Sequence, residues 1–288
     1  MIPGSFEYHR PAGLAEAVAL LGKLDSEARV IAGGHSLIPM MKLRLAAPTH
    51  LVDLAGVAEL KGVRRENGDI VIGAMTTQHE IIGDPLLGEH APILRETAEA
   101  IADPQVRYFG TIGGNVANGD PGNDMPALMM ALGAAYVLRG ASGERRVAAR
   151  EYYLSPYETA AKPGEVLTAI RVPAPPAGHG FAYEKLKRKV GDYATAAAAA
   201  ILTVSGGRIA TCSIALTNVA GTPLLASDAA AAVIGAALDK PALARAAAAA
   251  TAIAEPAADG RGSAEYRAKM AGVMTARALV RAFARASS

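Results

Sequence analysis

The chain has 288 residues, 51% of them hydrophobic and 19% charged, with 29 Lys+Arg against 27 Asp+Glu for a net charge of +2. That apolar content excludes disorder as the overall state, and the near-neutral balance excludes a dedicated nucleic-acid binder, which carries a basic excess. The single cysteine, Cys212, excludes an intrachain disulfide and any cysteine-ligated zinc or iron–sulfur site in this chain, and fits a reducing compartment.

At ~100–200 residues per domain the length predicts two domains. Met1-Ile2-Pro3-Gly4-Ser5-Phe6-Glu7 has neither a basic nor an apolar leader region. The longest apolar run, Ala194 to Val204, is interrupted by Thr195 and Thr203. It falls short of the ~18–20 apolar residues that a membrane span needs. A cytoplasmic protein is expected. Leu14, Val18 and Leu21 stand at helical spacing behind Gly13 and predict a helix over Leu14–Leu24. Ala28–Ala32 reads as a short buried strand broken by Gly33-Gly34. Ser36 is then placed to cap a helix through Leu37, Met40, Met41 and Leu45. His50–Leu54 reads as a further strand.

Asn67-Gly68 between Val63–Glu66 and Asp69–Ile72 predicts a hairpin. Thr77 and Glu80 have capping-box spacing at a helix start. Helices are expected over Ala91–Ala102 and Met125–Gly133, and strands over Ala135–Arg139 and Glu165–Val172. Pro173-Ala174-Pro175-Pro176-Ala177-Gly178-His179-Gly180 can continue neither helix nor sheet interior and marks a boundary. Beyond it, strands are expected at Phe181–Lys187, Ala196–Val204 and Arg208–Leu216, the last two joined at Gly206-Gly207. From Leu224 the alanine-rich chain reads as helical.

Two segments carry chemistry. Ile31-Ala32-Gly33-Gly34-His35-Ser36-Leu37 is a strand, a glycine turn and a helix start, which leaves amides free at a positive helix end: an anion cradle, or a tight connection with no ligand. Phe109-Gly110-Thr111-Ile112-Gly113-Gly114-Asn115 again sets adjacent glycines beside hydrogen-bonding residues. Two such loops could hold the two phosphates of one dinucleotide. Asp124, at the end of a polar turn from Gly119, either caps the following helix or touches a ligand. No G-x-G-x-x-G, P-loop or G-x-S-x-G motif is present. His9, His35, His50, His79, His90 and His179 show neither H-E-x-x-H nor an i, i+4 pair, so no histidine metal site is expected. Lys185-Leu186-Lys187-Arg188-Lys189 is a solvated strand edge or a site. Arg277, Arg281 and Arg285 complement a helix C-terminus or face a partner or an acidic lipid surface.

Ala32-Gly33-Gly34-His35-Ser36 and Thr111-Ile112-Gly113-Gly114-Asn115, in this order, resemble the two FAD-pyrophosphate loops of the molybdenum hydroxylase flavin subunits, relatives of the flavin domain of xanthine dehydrogenase. Phe6-Glu7-Tyr8-His9-Arg10-Pro11, Leu51-Val52-Asp53-Leu54, Ile72-Gly73-Ala74 and Val166-Leu167-Thr168-Ala169-Ile170-Arg171-Val172-Pro173 extend the resemblance over essentially the whole chain. The Ala-Gly-Gly-His-Ser loop is most similar to the carbon monoxide dehydrogenase branch.

The resemblance implies an α+β fold like that of vanillyl-alcohol oxidase relatives: an FAD-binding domain over 1–177, with subparts 1–56 and 57–177, and a C-terminal domain over 178–288 of antiparallel sheet plus helices. It implies that Ala32, Gly33, Gly34, His35, Ser36 and Leu37, with Thr111, Ile112, Gly113, Gly114 and Asn115, hold the pyrophosphate of FAD. Asp124 then meets the adenosine half, and Leu167 lies near the adenine or the flavin. Lys185 lies near the flavin ring, with Lys187 as competitor. Tyr193 stacks on the isoalloxazine or is a core tyrosine at a strand start. No residue is assigned a catalytic proton transfer. The implied activity is electron transfer: a small iron–sulfur subunit with 2Fe-2S clusters reduces the FAD. A large subunit with the molybdenum cofactor oxidises carbon monoxide with water to carbon dioxide, or an aldehyde, purine or N-heterocycle in a related hydroxylase. A quinone or membrane acceptor takes the electrons. A dimer of heterotrimers, loosely held at the inner face of the membrane, is implied. An interaction module that kept the fold without flavin is the alternative of another class.

Overall fold

The computed structural model describes residues 2–286. The first part contains β1 (Glu7–His9), α1 (Leu14–Leu24), β2 (Ala28–Ile31), α2 (Leu37–Lys42) and β3 (His50–Asp53). Its strands form a parallel sheet in the order β1-β3-β2. Ala17, Val18 and Leu21 on one face of α1 bury against Val52, Leu54 and Val57, as the helical spacing requires.

The second part begins with the hairpin β4 (Val63–Glu66) and β5 (Asp69–Gly73). Asn67 and Gly68 both have positive φ, at 54° and 88°, which the two-residue turn demands. Six short helices follow: α3 (Gln78–Gly83), α4 (Pro85–His90), α5 (Pro92–Ala100), α6 (Pro104–Phe109), α7 (Ile112–Ala117) and α8 (Asp124–Ala131). Then come β6 (Ala135–Gly140), β7 (Gly143–Ala148), α9 (Ala149–Tyr152), the pair β8 (Tyr153–Ser155) and β9 (Glu158–Thr159), and β10 (Val166–Pro173). Five strands make an antiparallel sheet in the order β4-β5-β10-β6-β7. Every residue of α8 is buried, so this helix is the centre of the largest apolar cluster.

Arg145 on β7 binds Glu165, just before β10, through two 2.7 Å contacts. This guanidinium holds the Glu165 carboxyl below its ordinary value of 4.5. A carboxyl lowered in the folded state contributes stability above its unfolded pKa and loses it as pH falls through the folded one. Urea midpoints measured against pH are therefore expected to fall more steeply below pH ~4.3 in the parent than in Glu165→Gln. The difference is about 1 kcal/mol, since the pair is partly solvated.

The third part is an antiparallel sheet, β11 (Gly180–Leu186), β12 (Ala196–Ser205), β13 (Arg208–Thr217) and β14 (Leu224–Leu225), followed by α10 (Ser227–Ala231), α11 (Lys240–Ala252) and α12 (Ala264–Ala286). Ala196, Ala198 and Ala200 face the cluster under α11 and α12, while Ala197 and Ala199 face the cluster around α8. Both faces of β12 are thus buried, and alanine on each lets its neighbours approach closely. The approach is tightest at Gly180, where a Cβ would lie 1.8 Å from the Ala282 carbonyl oxygen. Gly180→Ala is expected to destabilise the chain by about 3 kcal/mol through overpacking against helix backbone; thermal and urea unfolding would measure it.

Several expectations need correction. Ser36 makes no cap: its backbone is already helical, at φ −99° and ψ −50°, and its side chain accepts no helix amide. The helix it precedes ends at Lys42, which leaves Leu45 72% exposed. The chain after Leu224 opens with β14 before it turns helical. The arginine stripe on α12 is largely consumed internally. Arg281 binds Glu96 and Glu184, and Arg285 binds Glu96, so α12 is riveted to α5 and β11. Among the described residues no helix is long and apolar enough to cross a membrane.

Candidate functional site

The first glycine segment leaves β2 and turns at Gly34, whose φ of +74° suits a residue without Cβ. The Gly34 carbonyl accepts from Ile38 N–H at 2.9 Å and starts α2. Among the described residues nothing accepts from the amides of Gly33, Gly34, His35 and Ser36, so these donors remain available. His35 is exposed, its ring 6.3 Å from that of Phe109; Leu37 is half-buried at the first position of α2.

The second glycine segment is not a loop. It is the first turn of α7, capped by Thr111, whose Oγ1 accepts from Gly114 N–H at 3.0 Å. The Ile112 amide donates to Thr76 and the Gly113 amide to Ala74, at 2.9 and 2.8 Å, and Asn115 donates to the Thr111 carbonyl at 3.0 Å. The amides of Ile112, Gly113, Gly114 and Asn115 are spent inside the protein, so the glycines serve closeness rather than donation, while the Thr111 amide meets no acceptor among the described residues. A Cβ on Gly113 would lie 2.5 Å from the Ala74 carbonyl oxygen.

The two segments meet. A Cβ on Gly33 would stand 2.3 Å from the Phe109 carbonyl oxygen, and one on Gly114 would stand 3.6 Å from Ala32 Cβ. From there, Asn115 leads to α8: its carbonyl accepts from Asn123 Nδ2 at 2.7 Å and its Oδ1 from Met125 N–H at 3.3 Å. Asn123, not Asp124, is the N-cap. Asp124 points inward, accepting from Tyr183 Oη at 2.6 Å and from Lys185 Nζ at 2.7 Å. The side chains of Lys185 and Asp124 are 4% and 6% exposed, a fully enclosed ion pair between β11 and α8.

Lys187, just past the end of β11, reaches the same place, and both lysines donate to the Ala100 carbonyl at the end of α5, at 3.3 and 3.4 Å. Burial lowers the Lys187 ammonium pKa, helped by the charge of Lys185. Lys185 therefore has a carboxylate partner and Lys187 only carbonyl oxygen. Tyr193 lies in the connection from β11 to β12, not at a strand start, and is 41% exposed. Its ring leans on Gly122, where a Cβ would lie 2.7 Å from Tyr193 Cδ1. Its hydroxyl donates to Asp120 at 3.2 Å, and burial pushes the phenol pKa up. Leu167 is buried in β10, beside a bulge. The next carbonyl, of Thr168, accepts from the Ala74 amide, and the Ala74 carbonyl takes Gly113 N–H.

The predicted residues thus form one connected tract, from the Gly33 turn through α7 and the start of α8 to β11 and Tyr193. Reading the chain in line missed Tyr183 and Asp120. Only strand alternation, Tyr183 two before Lys185, hinted at the first. Away from this tract His9 and His50 stand side by side on the first sheet, a juxtaposition no linear histidine motif reveals.

Residues 4–175 match the family described as the FAD binding domain in molybdopterin dehydrogenase. The chain belongs to this family of flavoproteins. In this flavoprotein, residues 181–282 match the CO dehydrogenase flavoprotein C-terminal domain. It is 66% identical over 288 residues, 100% of both chains, to the carbon monoxide dehydrogenase medium chain of Afipia carboxidovorans. It is 52% identical to that of Hydrogenophaga pseudoflava over 285 residues, 99% of both. A crystal structure of Cu,Mo-CO dehydrogenase superposes with a TM-score of 0.98 at 66% identity, covering 99% of this chain and 100% of that one. The expected family, the α+β flavoprotein fold and FAD as the cofactor of the domain are borne out.

Proposed function

We propose that this flavoprotein is the FAD-carrying medium subunit of a carbon monoxide dehydrogenase. A small iron–sulfur subunit delivers its electrons, and a large molybdenum subunit oxidises carbon monoxide with water. A quinone or other acceptor takes the electrons onward. The assembly is a dimer of heterotrimers, cytoplasmic and loosely held at the inner face of the membrane. The observation that carries the substrate is the 66% identity over the full length to a carbon monoxide dehydrogenase medium chain.

The tract fits FAD. Among the described residues the amides of Gly33 to Ser36 have no protein acceptor, which suits a pyrophosphate. The bare Cα positions of Gly33 and Gly114 hold the backing segment against this turn. In this reading Ala32–Leu37 supplies the donors and Thr111–Asn115 the wall behind them. Leu167 borders the adenosine side and Tyr193 the ring side, while Asp124 and Lys185, joined to each other at 2.7 Å and almost fully enclosed, brace the wall from within instead of lining its two ends. Tyr193, tethered through Asp120, offers a flat face for offset stacking. When bound, FAD supplies acceptance and release of electrons singly or in pairs. The chain's own residues bind, orient and enclose. In the division this reading uses, 1–177 is the FAD-binding domain and 178–288 closes it.

The test is titration of the flavin-stripped full chain with FAD, followed by flavin fluorescence. One FAD bound per chain, with fluorescence rising in Tyr193→Ala at unchanged stoichiometry, is the expected result. A chain that takes up no flavin would overturn the reading.

A further inference from the structure

The parallel pairing of β1 with β3 sets Glu7 opposite His50 and His9 opposite Val52. Paired residues, and residues two apart on one strand, point to the same face of a sheet. Glu7, His9 and His50 therefore converge, while Tyr8 and Leu51 point the other way. His9 Nε2 lies 3.0 Å from His50 Nδ1. The Glu7 Oε2 atom lies 3.5 Å from His50 Nδ1 and 3.9 Å from His9 Nε2. Three ligand atoms bound tetrahedrally to Zn²⁺ at ~2.0–2.1 Å stand about 3.3 Å from one another. The observed separations differ from that by about 0.2–0.6 Å, the largest difference lying on Glu7, which at 74% exposure is free to make the adjustment.

We propose that Glu7, His9 and His50 form a Zn²⁺ site that clamps the N-terminal edge strand onto the first sheet. Two imidazoles and one carboxylate, with a fourth position open to water, are a donor set that Zn²⁺ accepts. The neighbouring carboxylate supports it: Glu27 Oε2 lies 3.7 Å from His50 Nε2, the nitrogen turned away from the cluster. Once it closes to hydrogen-bond distance, a carboxylate there receives the N–H of a ligating imidazole and directs the lone pair of Nδ1 at the metal. His9 Nε2 then carries the proton of the 3.0 Å contact in the metal-free chain. On binding, that proton moves to His9 Nδ1, both rings stay neutral, and the ion takes its place between them. The clamp has mechanical sense. β1 has three residues and among the described residues pairs only with β3, so little else in the sheet holds it.

The experiment uses the full chain, treated with chelator and dialysed against Zn²⁺, with bound metal counted by mass spectrometry. One Zn²⁺ per chain is expected, with a raised thermal midpoint. His9→Gln and His50→Gln should each lose the bound ion and the shift at unchanged circular dichroism. Glu27→Gln should weaken binding ~10-fold. The parent chain decides independently of any variant: Zn²⁺ must protect His9 and His50 from modification by diethyl pyrocarbonate. No uptake by the parent, uptake that survives in the double variant, or reaction of both histidines undiminished by Zn²⁺ would overturn the proposal.

Discussion

Gly114→Val is expected to weaken FAD binding ~10–100-fold while the chain stays folded. Gly114 lies in the first turn of α7, where glycine costs a helix about 1 kcal/mol relative to alanine. What that cost secures is proximity: a Cβ there would meet Thr111 Oγ1 at 3.0 Å and Ala32 Cβ at 3.6 Å. Both neighbours are side-chain atoms with some freedom, so the fold can yield. The branched side chain pushes on Ala32, at the head of the turn whose amides are free. Overpacking of ~1–3 kcal/mol at this point, expressed as a displaced binding loop, gives that range in affinity. Flavin per chain after desalting is the readout, with circular dichroism as control. Gly113→Ala is the contrast: its Cβ would meet the Ala74 backbone oxygen at 2.5 Å, so the loss there is one of folding. Full flavin occupancy in folded Gly114→Val would remove the pyrophosphate assignment from this segment.

Lys185→Met is expected to destabilise the chain by about 3–5 kcal/mol. The ammonium is enclosed with Asp124, and its removal leaves a carboxylate 6% exposed with the Tyr183 hydroxyl as its remaining strong donor. An uncompensated buried charge carries a penalty of this size. Lys185→Met combined with Asp124→Asn should recover much of the loss, because the charge goes with its partner. Lys187→Met should cost far less, since Lys187 has no carboxylate partner and burial already disfavours its charge. Urea unfolding of the parent, Lys185→Met, Asp124→Asn and the double variant forms a mutant cycle, with Lys187→Met as the comparison. Equal losses in Lys185→Met and Lys187→Met would show that the pair has no special weight.

Features set by local chemistry were legible in the chain. Asn67-Gly68 and Gly206-Gly207 can take positive φ, and they turn the hairpins they predict. Thr77 and Glu80 satisfy each other's amides and open α3 as a capping box. The first glycine segment was readable because free amides beside a helix start follow from the turn itself. The second was readable as important but not as a helix. Its glycines argue against helix by propensity, and the carbonyls of Ala74 and Thr76, from a distant turn, decide its conformation. Asp124 has the look of a cap because caps are local. Its true partners, Tyr183 and Lys185, arrive from β11, and nothing near Asp124 announces them. His9 and His50 meet for a similar reason, through a parallel strand pairing that only the tertiary fold creates.

The most direct test of the central claim is flavin reduction by carbon monoxide, followed by absorbance under anaerobic conditions. The FAD-loaded chain alone should stay oxidised, because its described residues hold no iron–sulfur ligand set and no cysteine but Cys212. The same chain assembled with its molybdenum and iron–sulfur subunits should bleach on addition of carbon monoxide and recolour with a quinone. Reduction of the isolated chain by carbon monoxide, or an assembled complex whose flavin stays oxidised while carbon monoxide is consumed, would contradict the account.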